Sequence, residues 1–166
     1  MAAAPTSHEA HLDSISWKIL ELLQDDARIS FAELGRKVGL STPAVSERVR
    51  RLEESGVITG YHATIEPAKI GLPIAISIRL TVAGGEVQMN RTIAAVKKSP
   101  EVIRCHRVTG AESFLVEALV VSVRHLEALI DSLSTLGVTS TVTLLSSPVK
   151  RRKLRAVEME SFRRYQ

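Results

Sequence analysis

Cysteine and aromatic residues are scarce in this sequence. Cys105 is the only cysteine, which excludes an intramolecular disulfide framework and a Cys-rich zinc site and fits a reducing cytoplasm. Aromatic residues make up 4% of the chain against 45% hydrophobic residues, so the core must be mostly aliphatic. We therefore expect a cytoplasmic protein whose aliphatic core contains no disulfide.

Long apolar runs and recognisable metal or phosphate motifs are also missing. No uninterrupted apolar stretch approaches about 18 residues, so we expect no membrane span. Residues 1–11 lack the basic and apolar regions of a secretory signal, and their composition predicts a disordered tail. The five histidines show no metal-ligand spacing, and Gly84-Gly85 lacks a phosphate-binding pattern. We therefore expect no metal, no cofactor and no catalytic residues.

Positive charge is concentrated at the end of the chain. The net charge of the whole chain is +4. Residues 150–166 alone have a net charge of +5, whereas residues 12–62 have a net charge of −1. Net charge therefore does not identify the first part of the chain as a nucleic-acid binder. Evidence for DNA binding there must come from local clusters of basic side chains. The basic segment 149–166 has two interpretations: a solvated, poorly ordered terminus, which we favour, or a contact with DNA or a partner chain.

Apolar residues at helical spacing predict three short helices within residues 12–62. Ser30 and Glu33 form a capping box ahead of the second helix. The turn Gly39-Leu40-Ser41 then leads to a third helix, which has one apolar face formed by Val45, Val49 and Leu52. A short helix, a glycine-containing turn and a second helix are typical of the DNA-binding helix-turn-helix. A three-helix bundle with a charged solvent face is the alternative at this point.

The exposed face of the third helix is the predicted DNA contact. Ser46, Glu47 and Arg50 can reach base edges, whereas basic side chains and the N-terminal amides of the helix suit phosphates. The full set of predicted DNA-binding residues is Arg36, Lys37, Ser41, Thr42, Pro43, Ser46, Glu47, Arg48, Arg50 and Arg51.

The second half of the chain changes from helical to strand periodicity. A strand signal covers residues 57–66 with an interruption at Gly60, and residues 63–72 have the character of a hinge. Residues 73–148 then alternate in the order β-α-β-β-α-β, which predicts a ferredoxin-like domain with helices on one face of an antiparallel sheet. Because the strands carry apolar residues on both alternations, we expect a partner subunit on the other face.

Four stretches of the sequence resemble one protein family. They are LDSISWKILELLQDDARISFAEL, VGLSTPAVSERVRRLEESGVITGYHATIEPAKIGL, RVTGAESFLVEALV and LGVTSTVT. Together they resemble the Lrp/AsnC family, the leucine-responsive and feast/famine regulators, from Leu12 to about Pro148. The resemblance implies an α+β fold with an N-terminal winged helix-turn-helix and a C-terminal ferredoxin-like domain. It also implies homodimers that often assemble into octamers, and an amino acid as effector.

The resemblance also points to an effector-binding region around the turn that follows Val108. The residues implied are Gly110, Ser113, Leu115, Thr139, Thr141 and Thr143. Ser113 stands where the family loop usually has an acid, and a hydroxyl cannot pair with an ammonium group as a carboxylate does. On a strand, Glu112 would point to the opposite face. We therefore expect either weak amino-acid binding or a ligand without a free ammonium group.

The sequence as a whole predicts a sequence-specific DNA-binding transcriptional regulator, not an enzyme. Its partners are double-stranded DNA, further copies of itself and a small-molecule effector related to amino acids. The predicted parts are residues 12–62 for DNA binding, 63–72 as hinge, 73–148 for effector binding and oligomerisation, and 149–166 as a basic tail. The alternative is a non-specific, chromatin-like DNA-binding protein, or an oligomerising small-molecule-binding module without operator recognition.

Overall fold

The computed structural model describes residues 12–149 and 151–162, so the predicted tail 1–11 lies outside the described residues. The described residues form two compact units, one made of residues 12–63 together with 149 and 151–162, and one made of residues 64–148. The described helices and strands, in chain order, are α1 (Ser14–Asp25), α2 (Phe31–Val38), α3 (Thr42–Glu54), β1 (Ile74–Thr81), α4 (Gly85–Lys98), β2 (Val102–Arg107), β3 (Phe114–Val120), α5 (Val123–Ser134), β4 (Val138–Thr143) and α6 (Ala156–Phe162).

Each helix of the predicted trihelical region begins at a polar cap. Asp13, Ser30 and Ser41 each accept a hydrogen bond from the backbone N–H three residues further on, at 2.8, 3.2 and 3.4 Å. These side chains satisfy amides that have no partner inside the helix. Gly39 ends α2 in the left-handed conformation with φ of 75°. The capped helices predicted from the sequence are therefore confirmed.

The first unit is built on a small aliphatic core. Ile19 of α1, Leu34 of α2 and the stripe on α3 are buried together, and the stripe consists of Val45, Val49 and Leu52. Since all three helices contribute to one cluster, α3 is held by its apolar stripe while its opposite face stays accessible.

The predicted strand over residues 57–66 is not formed. A strand needs a hydrogen-bonded neighbour, and none of the described strands pairs with this segment. Its beginning is instead fixed on α3, where Ile58 donates its backbone N–H to the Leu52 carbonyl at 2.9 Å. The Tyr61 hydroxyl donates to Glu53 at 2.9 Å, and burial together with this carboxylate raises the pKa of Tyr61 to about 12.

The second unit has the predicted β-α-β-β-α-β order. Its four strands form one sheet in the order β2-β3-β1-β4, and every neighbouring pair is antiparallel. Buried residues alternate along β1 and β3, and side chains of α4 and α5 such as Val96 and Leu133 pack on the same face. The ferredoxin-like prediction is confirmed, and the second face of the sheet carries no helix among the described residues.

Gly137 makes a close backbone approach between α5 and β4 possible. A Cβ atom at this position would collide with the carbonyl oxygen of Thr81, at the end of β1. Because that atom is backbone, it cannot rotate away. The entry into β4 therefore depends on a residue without a side chain.

The described part of the chain lacks two features that would bear on function. None of the helices in residues 12–149 and 151–162 combines the length and the apolar character that a membrane crossing requires. Within the same residues, no three His, Cys, Asp or Glu side chains come together as a metal ion would need.

Candidate functional site

The turn between α2 and α3 is fixed by a backbone contact at Gly35. Leu40 donates its N–H to the Gly35 carbonyl at 2.9 Å, and a Cβ on Gly35 would lie 2.5 Å from the Leu40 carbonyl oxygen. The two helices can approach this closely only with glycine inside α2. The sequence analysis did not single out Gly35, although a glycine in the middle of a predicted helix is unfavourable and is itself a signal of close packing.

The face of α3 that was predicted to contact DNA lies opposite its apolar stripe. Thr42, Pro43, Arg50 and Arg51 are exposed, and Ser46 and Glu47 are half-buried. Ser41 uses its hydroxyl as the helix cap, so its backbone and that of Thr42 are what remain for a phosphate. The structure therefore brings the predicted base-reading residues together on one surface of the first unit.

Glu47 organises the basic side chains of this face. It accepts hydrogen bonds from Arg50 at 2.7 and 2.9 Å and from Arg51 at 2.9 Å, and Arg50 also contacts Glu54. These bonds, those from Arg50 foremost, lower the pKa of Glu47 to about 2 and raise the pKa of Arg50 above its usual range. Glu47 is thus anionic at every physiological pH and holds both guanidinium groups on the exposed face.

Arg48 is engaged in contacts within the first unit. Its guanidinium donates to Asp13 at 2.7 Å and to Ser16 at 3.1 Å, at the start of α1. Hydrogen bonds from Ser16, and then from Arg48, lower the pKa of Asp13 to about 2. Arg48 therefore ties α3 to α1, and its phosphate contact stays a prediction from the sequence.

The end of α2 carries the remaining two predicted phosphate contacts. Lys37 forms an exposed ion pair with Glu33 at 3.3 Å, one helical turn away. Arg36 is exposed and makes no ion pair with another described residue. Exposed pairs of the Lys37 type are weak, so both side chains are accessible to a phosphate.

An open cavity of about 550 Å³ lies in the second unit near the turn after β2. It is lined by Arg79, Arg107, Val108, Thr109, Glu112 and Leu115. Leu115 is the one predicted effector residue in this lining, and Gly110 is next to Thr109 in a left-handed conformation with φ of 119°. Arg79, Arg107 and Glu112 were not predicted as ligand contacts.

Ser113 and Glu112 have roles opposite to those expected. The Ser113 hydroxyl accepts the backbone N–H of Val82 at 3.0 Å, and its own N–H donates to Leu80 at 2.9 Å, so it joins the loop to β1. Glu112 lines the cavity. Glu112 and Ser113 thus face different surroundings, as expected, but it is Glu112 and not Ser113 that lines the cavity.

The three threonines predicted to contact the effector lie on the helix-covered face of the sheet. Thr139, Thr141 and Thr143 are opposite Leu80, Ile78 and Ile76, whose side chains form the helix-covered core. Thr139 also contacts the Ser134 hydroxyl of α5 at 3.1 Å. Leu115 is paired with Arg79 on the uncovered face. Within one chain, the threonines and Leu115 therefore lie on opposite faces of the sheet, and an effector contact of the threonines stays a prediction.

Comparison with known proteins gives the same two-part division. A family model described as "Winged helix-turn-helix DNA-binding" matches residues 12–59, and one described as "Lrp/AsnC ligand binding domain" matches residues 75–154. The HTH-type transcriptional regulator LrpC of Bacillus subtilis is 34% identical over 81% of this chain and 92% of its own length. The leucine-responsive regulatory protein of Haemophilus influenzae is 37% identical over 66% of each chain.

Solved structures agree with the sequence matches. The B. subtilis LrpC structure superposes with a TM-score of 0.79 at 33% identity, and covers 84% of this chain and 99% of its own. The transcriptional regulator NMB0573 of Neisseria meningitidis, solved as a complex with L-Met, gives a TM-score of 0.81 at 26% identity. It covers 89% of this chain and 99% of its own.

Proposed function

The chain belongs to the Lrp/AsnC family of transcriptional regulators. We propose that it reads a DNA operator with α3, and that a free amino acid bound in the cavity of the second unit, beside Glu112 and Leu115, modulates this DNA binding. The observation that carries the effector proposal is the lining of that cavity, which includes the basic residues Arg79 and Arg107 and the acidic residue Glu112. An amino acid has the complementary charges, a carboxylate and an ammonium group.

For DNA, Ser46 and Arg50 read base edges in the major groove, and Glu47 accepts from an exposed base amino group. Arg50 must leave Glu47 and Glu54 to do so, and because these ion pairs are exposed they oppose the exchange weakly. Arg36, Lys37 and Arg51, with the backbone amides of Ser41 and Thr42 at the N-terminus of α3, contact phosphates.

Selection of bound fragments from the chain's own genome tests operator recognition. We expect a recurring site that is bound at least about 10³-fold more tightly than random DNA of the same length at physiological salt. Equal affinity for selected and random fragments would contradict operator recognition, and would instead support the chromatin-like alternative.

The effector is held at both of its charged ends. Arg79 or Arg107 binds the carboxylate, since guanidinium pairs with carboxylates through two parallel hydrogen bonds, and Glu112 binds the ammonium group. Leu115 and Val108 face the side chain. This replaces the expectation of a ligand without an ammonium group, because the carboxylate that Ser113 cannot provide is available one residue earlier.

Calorimetry with the twenty amino acids tests this assignment. Glu112→Gln should weaken binding of the preferred amino acid at least about tenfold, and should leave the affinity for its analogue without the amino group unchanged. Glu127→Gln on the exposed surface of α5 is the matched control and should bind as wild type. An unchanged affinity of Glu112→Gln for the amino acid would refute the ammonium contact.

The uncovered face of the sheet is the surface we assign to homodimer formation, from which the larger family assemblies, octamers included, are built. Val138 and Val142 are 75% and 43% exposed there, beside the half-buried Leu115 and Leu119. Light scattering should give a dimer or a larger assembly for wild type, and a smaller species for Val142→Glu. An unchanged mass for Val142→Glu would place the interface elsewhere.

A further inference from the structure

The basic C-terminal segment is docked on the end of α1, within the first unit. The side-chain amide of Gln24 donates to the Leu154 carbonyl at 3.1 Å and accepts the Leu154 N–H at 3.0 Å. The next residue of α1, Asp25, forms an ion pair with Lys153. Helix α6 follows directly, at Ala156–Phe162. The described part of the segment, residues 151–162, is therefore held on α1 and differs from the solvated terminus expected from the sequence.

This docking changes the charge of the DNA-binding unit. Residues 12–62 carry −1, although a surface that binds phosphates is expected to be positive, and the described residues 151–162 add +2, from four Lys or Arg against two Glu. Lys153 is engaged with Asp25, whereas Arg151, Arg152 and Arg155 are exposed and make no ion pair with another described residue. Three guanidinium groups thus stand on the first unit with their charge available.

We propose that Arg151, Arg152 and Arg155, held on α1 by Gln24, form a second DNA-contacting element that binds phosphates beside the site read by α3. The proposal rests on the DNA binding proposed above. It adds three phosphate contacts at the end of the chain to those of Arg36, Lys37 and Arg51, and leaves base reading to α3. Guanidinium groups suit this task because their planar set of donors matches phosphate oxygens.

The position of the docking site supports a DNA contact. Asp25 precedes Ser30, the cap of α2, by five residues, which span at most about 18 Å of extended chain. In a helix-turn-helix, the helix ahead of the recognition helix crosses the DNA backbone. The arginines on the end of α1 therefore lie within reach of the phosphates that flank the groove.

The salt dependence of DNA affinity measures the number of phosphates involved. The test compares full-length wild type with a variant in which Arg151, Arg152 and Arg155 are replaced by glutamine, on the selected operator and on random DNA. Each lost phosphate contact should make the slope of log affinity against log salt less steep by about 0.9, and three contacts by about 2.7. Between about 50 and 200 mM salt, wild type should therefore lose about fortyfold more affinity than the variant.

Two further variants separate the docked element from charge in general. A matched control replaces Lys97, Lys98 and Arg124 of the second unit by glutamine, which removes the same charge and should leave the slope as in wild type. Gln24→Ala keeps every charge but releases the segment from α1. Its affinity for DNA should therefore fall, as that of the triple arginine variant does. The effects of Gln24→Ala and of the triple arginine variant should not add, because both remove the same contacts.

Each outcome of these measurements decides the proposal. A triple arginine variant with the wild-type slope, or one that binds DNA more tightly, would overturn it, the latter because the segment would then mask the DNA surface. Equal losses of DNA affinity in the triple arginine variant and in the matched control would also overturn the proposal, because the effect would then depend only on the total charge of the protein. A wild-type protein without affinity for any DNA would instead refute the proposed function itself, which keeps the two failures distinct. The thermal midpoint of each variant serves as the folding control.

Discussion

Replacing Gly35 by alanine tests whether the helix-turn-helix is fixed by backbone contact. Alanine favours a helix over glycine by about 0.8–1.0 kcal/mol, so propensity alone predicts stabilisation. The new Cβ, however, would lie 2.5 Å from the Leu40 carbonyl oxygen and 3.6 Å from the Ser41 carbonyl carbon. Both atoms are backbone at the start of α3, so relief requires the two helices to move apart. Overpacking of this kind costs about 1–3 kcal/mol, and we expect a net destabilisation of about 1 kcal/mol.

Urea unfolding followed by the fluorescence of Trp17 measures this effect, because the single tryptophan lies in α1 of the same unit. Ala32→Gly, at an exposed site of α2, is the matched control, since it reports the propensity difference without a clash. Operator affinity should fall for Gly35→Ala and stay near wild type for Ala32→Gly. If Gly35→Ala were as stable as wild type or more so, the close approach would not determine the turn.

Three other substitutions test separate parts of the structure. Arg50→Ala should lose roughly 5- to 150-fold in affinity at one base position of the operator and relax the preference there; an equal loss on all sequences, measured by competition binding, would assign Arg50 to phosphates. Asp13→Asn keeps a helix cap but not the charge that holds Arg48. Because the pKa of Asp13 is lowered from 3.8 to about 2, the stability advantage of wild type should be complete above pH 3.8 and disappear as the pH falls towards 2 in acid-titrated melts. Gly137→Ala should destabilise the second unit by about 1–3 kcal/mol because its Cβ meets the Thr81 carbonyl; a wild-type melting midpoint would contradict this.

Local features of the sequence predicted the elements well because they act over a few residues. The capping hydroxyls of Ser30 and Ser41 and the apolar stripe of α3 depend only on neighbours within one or two helical turns. The contact of Arg48 with Asp13 joins residues 35 positions apart, and that of Gln24 with Leu154 joins residues 130 apart. Contacts of this kind leave no periodic trace in the sequence, so only the structure reveals them.

The effector region was harder to predict because it depends on register. In β4, one alternation holds the three threonines and the other holds Val138, Ser140 and Val142, so polarity alone would turn the valines and not the threonines towards the core. The pairing with β1 decides it, and places Thr141 opposite the buried Ile78. For Glu112 and Ser113 the difficulty was which of two neighbours faces the cavity, and the hydrogen bonds of Ser113 to β1 decide it.

The strand order also determines where this protein is prone to aggregate. The sheet has two free edges, β2 and β4. β2 carries Arg104, His106 and Arg107, and charged side chains discourage the pairing of an edge with strands of other molecules. β4 has no charged residue, and the run Val138–Leu145 is rich in β-branched residues and free of proline. During expression or storage of the second unit alone, β4 is thus the edge that would recruit further copies into fibrous or amorphous deposits, and the position to protect by adding a lysine.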